Sequence, residues 1–330
     1  MIIVIDNIYF HNFYKIYITT DNPVKDILYP HQIAIVMIVL NASEHNYEQA
    51  IETVKCYSWH YNYTFAILSL EKVSEFIYNC VYFDFFFLRH CIVANYAQKY
   101  KNQIKYIVFI DGDVGVVNPV HKLENYLPKD QKDILFYDRI FNSEIAAGSY
   151  IIRNTLLARS FLKFFADYEY KMPKTKDGRC MKIYNYAKGF DQNMLFVSCM
   201  RYILNLMDET PNDIDYHTYE GGKIKIVKKF SKKRWARDAW LTYYTFCDDE
   251  LFHHSWKQKD IKINKNVFKG RFLANEKICK SSDFLKLWDY DESFKKNCKN
   301  INDSLKILAD FAYLQYMKEL LKSNIVEIED

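Results

Sequence analysis

The chain has 330 residues, of which 50% are hydrophobic and 26% charged, with a formal net charge of +4 at neutral pH. This is a globular composition, long enough for one large α/β domain or two ordinary ones, and it excludes a disordered chain. The charge is too small to argue for nucleic acid by itself. With 28 tyrosines and 24 phenylalanines the chain is unusually aromatic. Such rings fill cores first, and a surplus suits flat sugar or base faces.

Met1 to Thr20 is apolar in parts but carries Asp6, Asn7, His11 and Lys15. It falls short of the roughly 18 apolar residues a bilayer span needs. It also lacks the basic, apolar, small-residue order of a signal peptide. The expectation is a cytosolic protein, or one whose targeting segment lies outside this chain. Residues 1–31 give no clean period and end at Pro30.

Gln32 to Leu40 is almost uniformly apolar, as a strand buried on both faces should be. Asn41-Ala42-Ser43 follows and can cap a helix over about Glu44 to His60. Thr64 to Leu70 reads as a second strand, and Asp84 to Lys99 as a second helix. Tyr106 to Ile110 is then a third apolar strand. This alternation makes a parallel wound sheet the default expectation. Neither GxGxxG nor GxxxxGK[ST] is present, which disfavours dehydrogenase and P-loop readings.

The third strand stops at Asp111-Gly112-Asp113. In an open α/β sheet, ligands bind beyond the carboxyl ends of such strands. Two carboxylates there must hold something positive, because unpaired buried charge is costly. Oxygen ligands of this kind suit Mg²⁺ or Mn²⁺, with substrate phosphates completing the shell. Gly112 allows a close approach of backbone or ligand, and Asn118-Pro119 makes a turn. The bland reading is a strand followed by a solvated acidic turn.

Further on, Asp133 to Tyr137 and Ala147 to Asn154 read as strands, and Leu156 to Tyr168 as an amphipathic helix. Residues 169–186 form a basic irregular loop. Gly189-Phe190-Asp191-Gln192-Asn193 opens another apolar helix, where a first-turn carboxylate is favoured by the helix dipole alone. Lys223 to Lys233 is basic; Arg234 to Trp240 mixes indoles with charge, and His253-His254-Ser255-Trp256-Lys257 follows. The last 70 residues read as polar and helical, clearest over Ser304 to Lys322. No repeat or linker marks a second domain.

The eight cysteines, Cys56, Cys80, Cys91, Cys180, Cys199, Cys247, Cys279 and Cys298, contain no CxxC pair, so a structural zinc site is not expected. An even count permits disulfides without fixing their pairing. Asn41, Asn62 and Asn302 each begin an N-glycosylation triplet, which matters only in a secretory compartment.

Three separated pieces can meet at one site: Asp111 with Asp113, Asp191 with Gln192, and His254 with Lys257. Two carboxylates and an imidazole make a plausible Mn²⁺ triad, and a lysine three residues beyond can reach a phosphate. In this order the chain resembles the GT-A glycosyltransferases, which hold a metal and nucleotide-sugar diphosphate with an Asp-x-Asp motif. More closely it is similar to the retaining galactosyl- and xylosyltransferase family of yeast and plants, and most of all to that family's nematode-expanded, functionally uncharacterised relatives. The resemblance runs over about residues 33 to 260. It rests on Phe87–Cys91, Phe109–Pro119, Asp133–Arg139, Ala147–Asn154, Asp191–Asn193, Arg234–Leu241 and His254–Lys257.

What the resemblance implies is specific. The fold would be α/β, of the GT-A (nucleotide-diphospho-sugar transferase) type: a Rossmann-like mixed sheet with flanking helices. Residues 1–31 would be an N-terminal extension, 32–260 the glycosyltransferase domain, and 261–330 a C-terminal helical extension packed on it. Asp111, Asp113 and His254 would hold Mn²⁺ or Mg²⁺, with His253 an open alternative. Lys257 would hold the diphosphate, Arg89 would sit near the diphosphate or sugar, and Gly112 would lie against the donor. Leu40, Asn41 and Ala42 would line the base pocket. Asp191 and Gln192 would lie under the transferred sugar, as the catalytic pair. The donor would be a UDP- or GDP-sugar and the acceptor a glycan or glycoprotein, in a Golgi or endoplasmic-reticulum lumen. No nucleic-acid partner is implied, and the usual membrane anchor is not visible.

Rival readings remain. Asp-Gly-Asp also resembles the first motif of haloacid-dehalogenase-type phosphatases, but that motif belongs on the first strand. A catalytically silent sugar- or nucleotide-binding module would keep the same fold. The basic stretch Lys223 to Arg237 lacks a nucleic-acid-binding motif.

Overall fold

The computed structural model describes residues 27–40, 45–72, 74–129, 132–141, 145–171, 209–210, 213–219, 223–262 and 266–322. Strand β1 (Ile33–Val39) is buried along its whole length. Its alternate side chains serve two cores. Ala34, Val36 and Ile38 face one layer, and Ile33, Ile35 and Met37 face the other. That explains its unbroken apolar run, since both faces of the sheet are covered. Helix α1 (Glu48–Tyr61) leads into β2 (Thr64–Ser69). A short α2 (Ser74–Ile77) precedes α3 (Phe85–Lys99), whose N-cap Asp84 accepts a bond from the Phe86 N–H. Strand β3 (Tyr106–Ile110) then lies parallel to β1, which is also parallel to β2.

The remaining elements are β4 (Gly115–Val116), β5 (Ile134–Tyr137), β6 (Ser149–Arg153), α4 (Leu156–Lys171), β7 (Glu209–Thr210), β8 (Tyr216–Tyr219), β9 (Ile224–Val227), β10 (Ala236–Asp238), β11 (Phe252–His254), α5 (Gln258–Lys262), α6 (Glu276–Cys279) and α7 (Cys298–Lys322). They complete an eight-stranded sheet of order β2-β1-β3-β6-β5-β9-β8-β7 and a three-stranded sheet of order β10-β11-β4. Helices α3 and α4 cover one face of the large sheet. Helix α1, the small sheet and residues 267–288 cover the other.

The sheet is mixed, as the resemblance implied, and not wholly parallel as the alternation of elements alone suggested, because β6 runs antiparallel to both β3 and β5. The described parts of 138–148, which join β5 to β6, contain no crossover helix, and the pair closes antiparallel. The C-terminal segment is helical only in part. Between α5 and α7, the described chain runs through short turns that insert Val267, Phe268, Phe272 and Trp288 into the core. Anchors spaced irregularly among polar residues do not need a helical stripe to be buried.

Among the described residues three disulfides tie these parts together: Cys56–Cys279 joins α1 to α6, Cys80–Cys91 closes the approach to α3, and Cys247–Cys298 fastens α7. Cys180 and Cys199 lie outside the described residues.

A candidate metal centre at the end of β3

The apolar strand β3 delivers Asp111 at the carboxyl edge of the sheet. The Asp111 N–H donates to the Gly148 carbonyl at 2.8 Å, and the Val114 N–H donates to the Asp111 carbonyl at 3.0 Å. The chain therefore folds into a tight turn instead of continuing. Gly112 sits where a Cβ would come within 2.8 Å of both Tyr47 and Val39 side-chain carbons. Gly148 matters more directly: a Cβ there would stand 2.2 Å from Asp111 Oδ2. Only glycine leaves that carboxylate its place.

After the turn, β4 pairs with β11, Gly115 opposite His253 and Val116 opposite Phe252. The backbone of Ser255 has a φ of 78°, a left-handed turn for a non-glycine residue. It brings the Trp256 N–H to the Asp113 carbonyl at 2.8 Å. The two pieces that the sequence separates by more than a hundred residues are thus clamped side by side. His254 Nε2 lies 3.2 Å from Asp113 Oδ1 and 4.0 Å from Asp111 Oδ2. Lys257 Nζ lies 3.8 Å from Asp113 Oδ2. One ligand atom from each of Asp111, Asp113 and His254 falls within a 4.8 Å cluster.

Parallel pairing of β10 with β11 decides which histidine enters the site. Asp238 is opposite His254, and Arg237 is opposite His253. Successive side chains of a strand point to opposite faces. His254 therefore shares a face with Asp238, to which its Nδ1 is hydrogen-bonded at 2.8 Å. Arg139, just beyond β5, closes on the same Asp238 with two bonds of 3.1 and 2.8 Å. His253 faces the other way, into a buried network. Its Nε2 is 3.0 Å from Arg237 Nη2 and 3.5 Å from Glu250 Oε2.

The electrostatics follow from these neighbours. Burial disfavours the His254 imidazolium, but Asp113 and Asp238 outweigh it and push the pKa up to about 10. Burial likewise opposes ionisation of Asp113, yet His254 and Lys257 hold its carboxyl below the usual range. Burial raises Asp111, with Arg89 and His254 opposing. These groups together favour positive charge between the carboxylates, and a divalent cation there would take the imidazole at a deprotonated Nε2. Two carboxylate oxygens and one imidazole nitrogen fit Mn²⁺ or Mg²⁺ with positions left for phosphate and water.

The other expected residues fall as follows. Arg89, 3% exposed, ends in an ion pair with Asp111 and lies over the Phe86 and Phe109 rings. Leu40 is 45% exposed and leaves the sheet by the same edge as Asp111, since Val36 of β1 pairs with Phe109 of β3. Asn41, Ala42, Asp191 and Gln192 lie outside the described residues. Sequence reading missed Asp238, Arg139 and Gly148 as parts of this centre. They lie inside the Arg234–Leu241, Asp133–Arg139 and Ala147–Asn154 stretches, but only their contacts in the fold show what they do.

Comparison with known proteins adds a family and little else. A family model described as "Protein of unknown function, DUF273" matches residues 54–269. No curated protein matches the chain. Among solved structures it is similar to a glycosyltransferase involved in the glycosylation of the major capsid of PBCV-1, at 14% identity and a TM-score of 0.39, over 67% of this chain and 91% of that one.

Proposed function

This chain belongs to the DUF273 family, and we propose that it is a metal-dependent glycosyltransferase of the GT-A type. It would move a hexose or pentose from a nucleotide-diphosphate sugar, a UDP-sugar in the first instance, to a glycan or glycoprotein acceptor with retention at the anomeric carbon. The observation that carries this reading is the Asp111, Asp113 and His254 cluster at the carboxyl end of a central strand. Such strand ends are where open α/β sheets bind ligands. The ordered motif series over residues 33 to 260 gives the cluster its glycosyltransferase sense.

Asp111, Asp113 and His254 would hold Mn²⁺ or Mg²⁺. When bound there, the ion supplies Lewis-acid neutralisation of the departing diphosphate. Lys257, with its side chain 42% exposed, offers a point charge to the same phosphates. Arg89 neutralises part of the Asp111 charge from the protein side, so Asp111 is held in one orientation. Asp191 and Gln192 are proposed to lie under the sugar, where a carboxylate and an amide stabilise positive charge at the anomeric carbon. Leu40, Asn41 and Ala42 are proposed as the wall of the base pocket.

The domain is taken as residues 32–260, with 261–330 packed on it. Burial of Val267, Phe268 and Trp288 with Ile33 and Val108 in one cluster supports that packing. The three disulfides support an oxidising lumen, of Golgi or endoplasmic-reticulum type. Among the described residues no helix is long and apolar enough to cross a membrane.

The test is donor hydrolysis across a panel of UDP- and GDP-sugars, with Mn²⁺ or with chelator, for wild type and Asp113→Asn. Metal-dependent nucleotide release that the variant loses is the expected result. Metal-dependent nucleotide binding without release would favour the silent binding module. The absence of both binding and release would end the glycosyltransferase reading.

A further inference from the structure

We propose that Asp238, held by Arg139, is the positioning residue that fixes His254 as a metal ligand, so that a chain of three side chains reaches from the end of β5 to the cation. The inference rests on the metal-centre reading above. It goes beyond it by assigning a role to two residues outside the three-ligand set.

Three features of the structure lead there. Asp238 is 5% exposed, and its Oδ1 accepts from His254 Nδ1 at 2.8 Å. A donating Nδ1–H leaves the Nε2 lone pair on the Asp111 and Asp113 side, which is the tautomer a metal needs. The carboxylate is itself oriented, because Arg139 grips both of its oxygens in a fork. Finally, Asp238 and His254 are register partners in a parallel pair, while their neighbours Arg237 and His253 form a separate network on the opposite face. The Asp238–His254 contact is thus built into the backbone pairing.

The alternative is that Asp238 and Arg139 merely form a buried ion pair that holds β10 to the end of β5. The two differ in one respect. A structural pair would matter regardless of His254, whereas a positioning residue matters only through it. Partners of this kind, hydrogen-bonded to a ligating histidine, typically carry a 10- to 100-fold effect on metal affinity.

The experiment is a double-mutant cycle on the full chain, with Mn²⁺ alone as probe and free ion counted by electron paramagnetic resonance. Wild type, Asp238→Asn, His254→Ala and the double variant are titrated, and their thermal unfolding is recorded in chelator. Expected is a 10- to 100-fold weaker Mn²⁺ site in Asp238→Asn, with no further loss when the same change is made on the His254→Ala background. An Asp238→Asn affinity equal to wild type would overturn the inference and leave the metal centre standing. So would an equal loss on both backgrounds, which is the signature of a general structural effect. A wild type that binds no Mn²⁺ would overturn the metal centre and this inference with it. If Asp238→Asn does not fold, Arg139→Gln takes its place in the cycle. That change leaves the carboxylate present but loosens it, and a smaller loss that again disappears with His254→Ala is expected.

Discussion

His253 and His254 are consecutive, both sit on β11, and both have carboxylate neighbours, yet they are prepared for opposite tasks. His253 is fully buried between Arg237 and Glu250. Burial and the Arg237 charge lower its pKa, which favours the neutral ring within this buried network. His254 looks across at Asp113 with Asp238 behind it, and is drawn toward positive charge. The difference comes from one step of strand period and from the partner each face meets. Arg237 answers Glu250 on the inner face, whereas no arginine or lysine answers Asp113 as closely as His254 does on the outer. The inner face is a buried ion-pair network, whereas the outer face gathers two carboxylates around one imidazole, as a cation site requires.

The comparison can be broken from the inner face first. Arg237→Leu removes a guanidinium that bonds Glu250, Thr242, Thr245 and the Asp238 carbonyl. Leaving the largely buried Glu250 without its guanidinium partner should cost about 3–5 kcal/mol of stability, read by urea unfolding. A loss under about 1 kcal/mol would deny that face its structural role. On the outer face, Asp113→Asn should lower Mn²⁺ affinity by at least ~100-fold, since a ligand outweighs the partners behind it. Its unfolding in chelator should shift far less than that of Arg237→Leu.

Gly148→Ala sharpens the contrast further. The added methyl would press on Asp111 Oδ2, 2.2 Å away, so the carboxylate must turn. Metal affinity is expected to fall roughly 10-fold, by analogy with outer-sphere changes; unchanged affinity would remove Asp111 from the ligand set. The smallest effect is one of pH. Burial alone would raise the Glu250 pKa, but Arg237 and His253 outweigh it and hold the carboxyl well below its ordinary range. A depressed carboxylate contributes stability above its unfolded value of about 4.3 and loses it as pH falls below that. Wild type should therefore lose stability between about pH 5 and 3 more steeply than Glu250→Gln. Parallel curves for the two proteins would contradict the network.

What could be read from the sequence divides along the same line. The run Tyr106–Ile110 ending in Asp111-Gly112-Asp113 is a local signal, because strand burial and chain reversal are both set by adjacent residues. The identity of the third ligand is not local. Period two says only that His253 and His254 point apart; which of them meets Asp113 depends on β11 pairing with both β4 and β10. Asp238 is silent in sequence for the same reason, since its partners Arg139 and His254 are distant in the chain. The antiparallel turn of β6 and the anchoring of Phe272 and Trp288 likewise depend on connections and contacts that residue pattern does not carry. Asp191 and Gln192 keep the roles given to them by resemblance, as proposals outside the described residues.

The measurement closest to the central claim is the position of a bound metal. Crystals of the wild-type protein soaked in Mn²⁺ and measured at the manganese absorption edge should show one strong anomalous peak in contact with His254 Nε2, Asp111 and Asp113. An absent peak, or one away from all three side chains, would contradict the account.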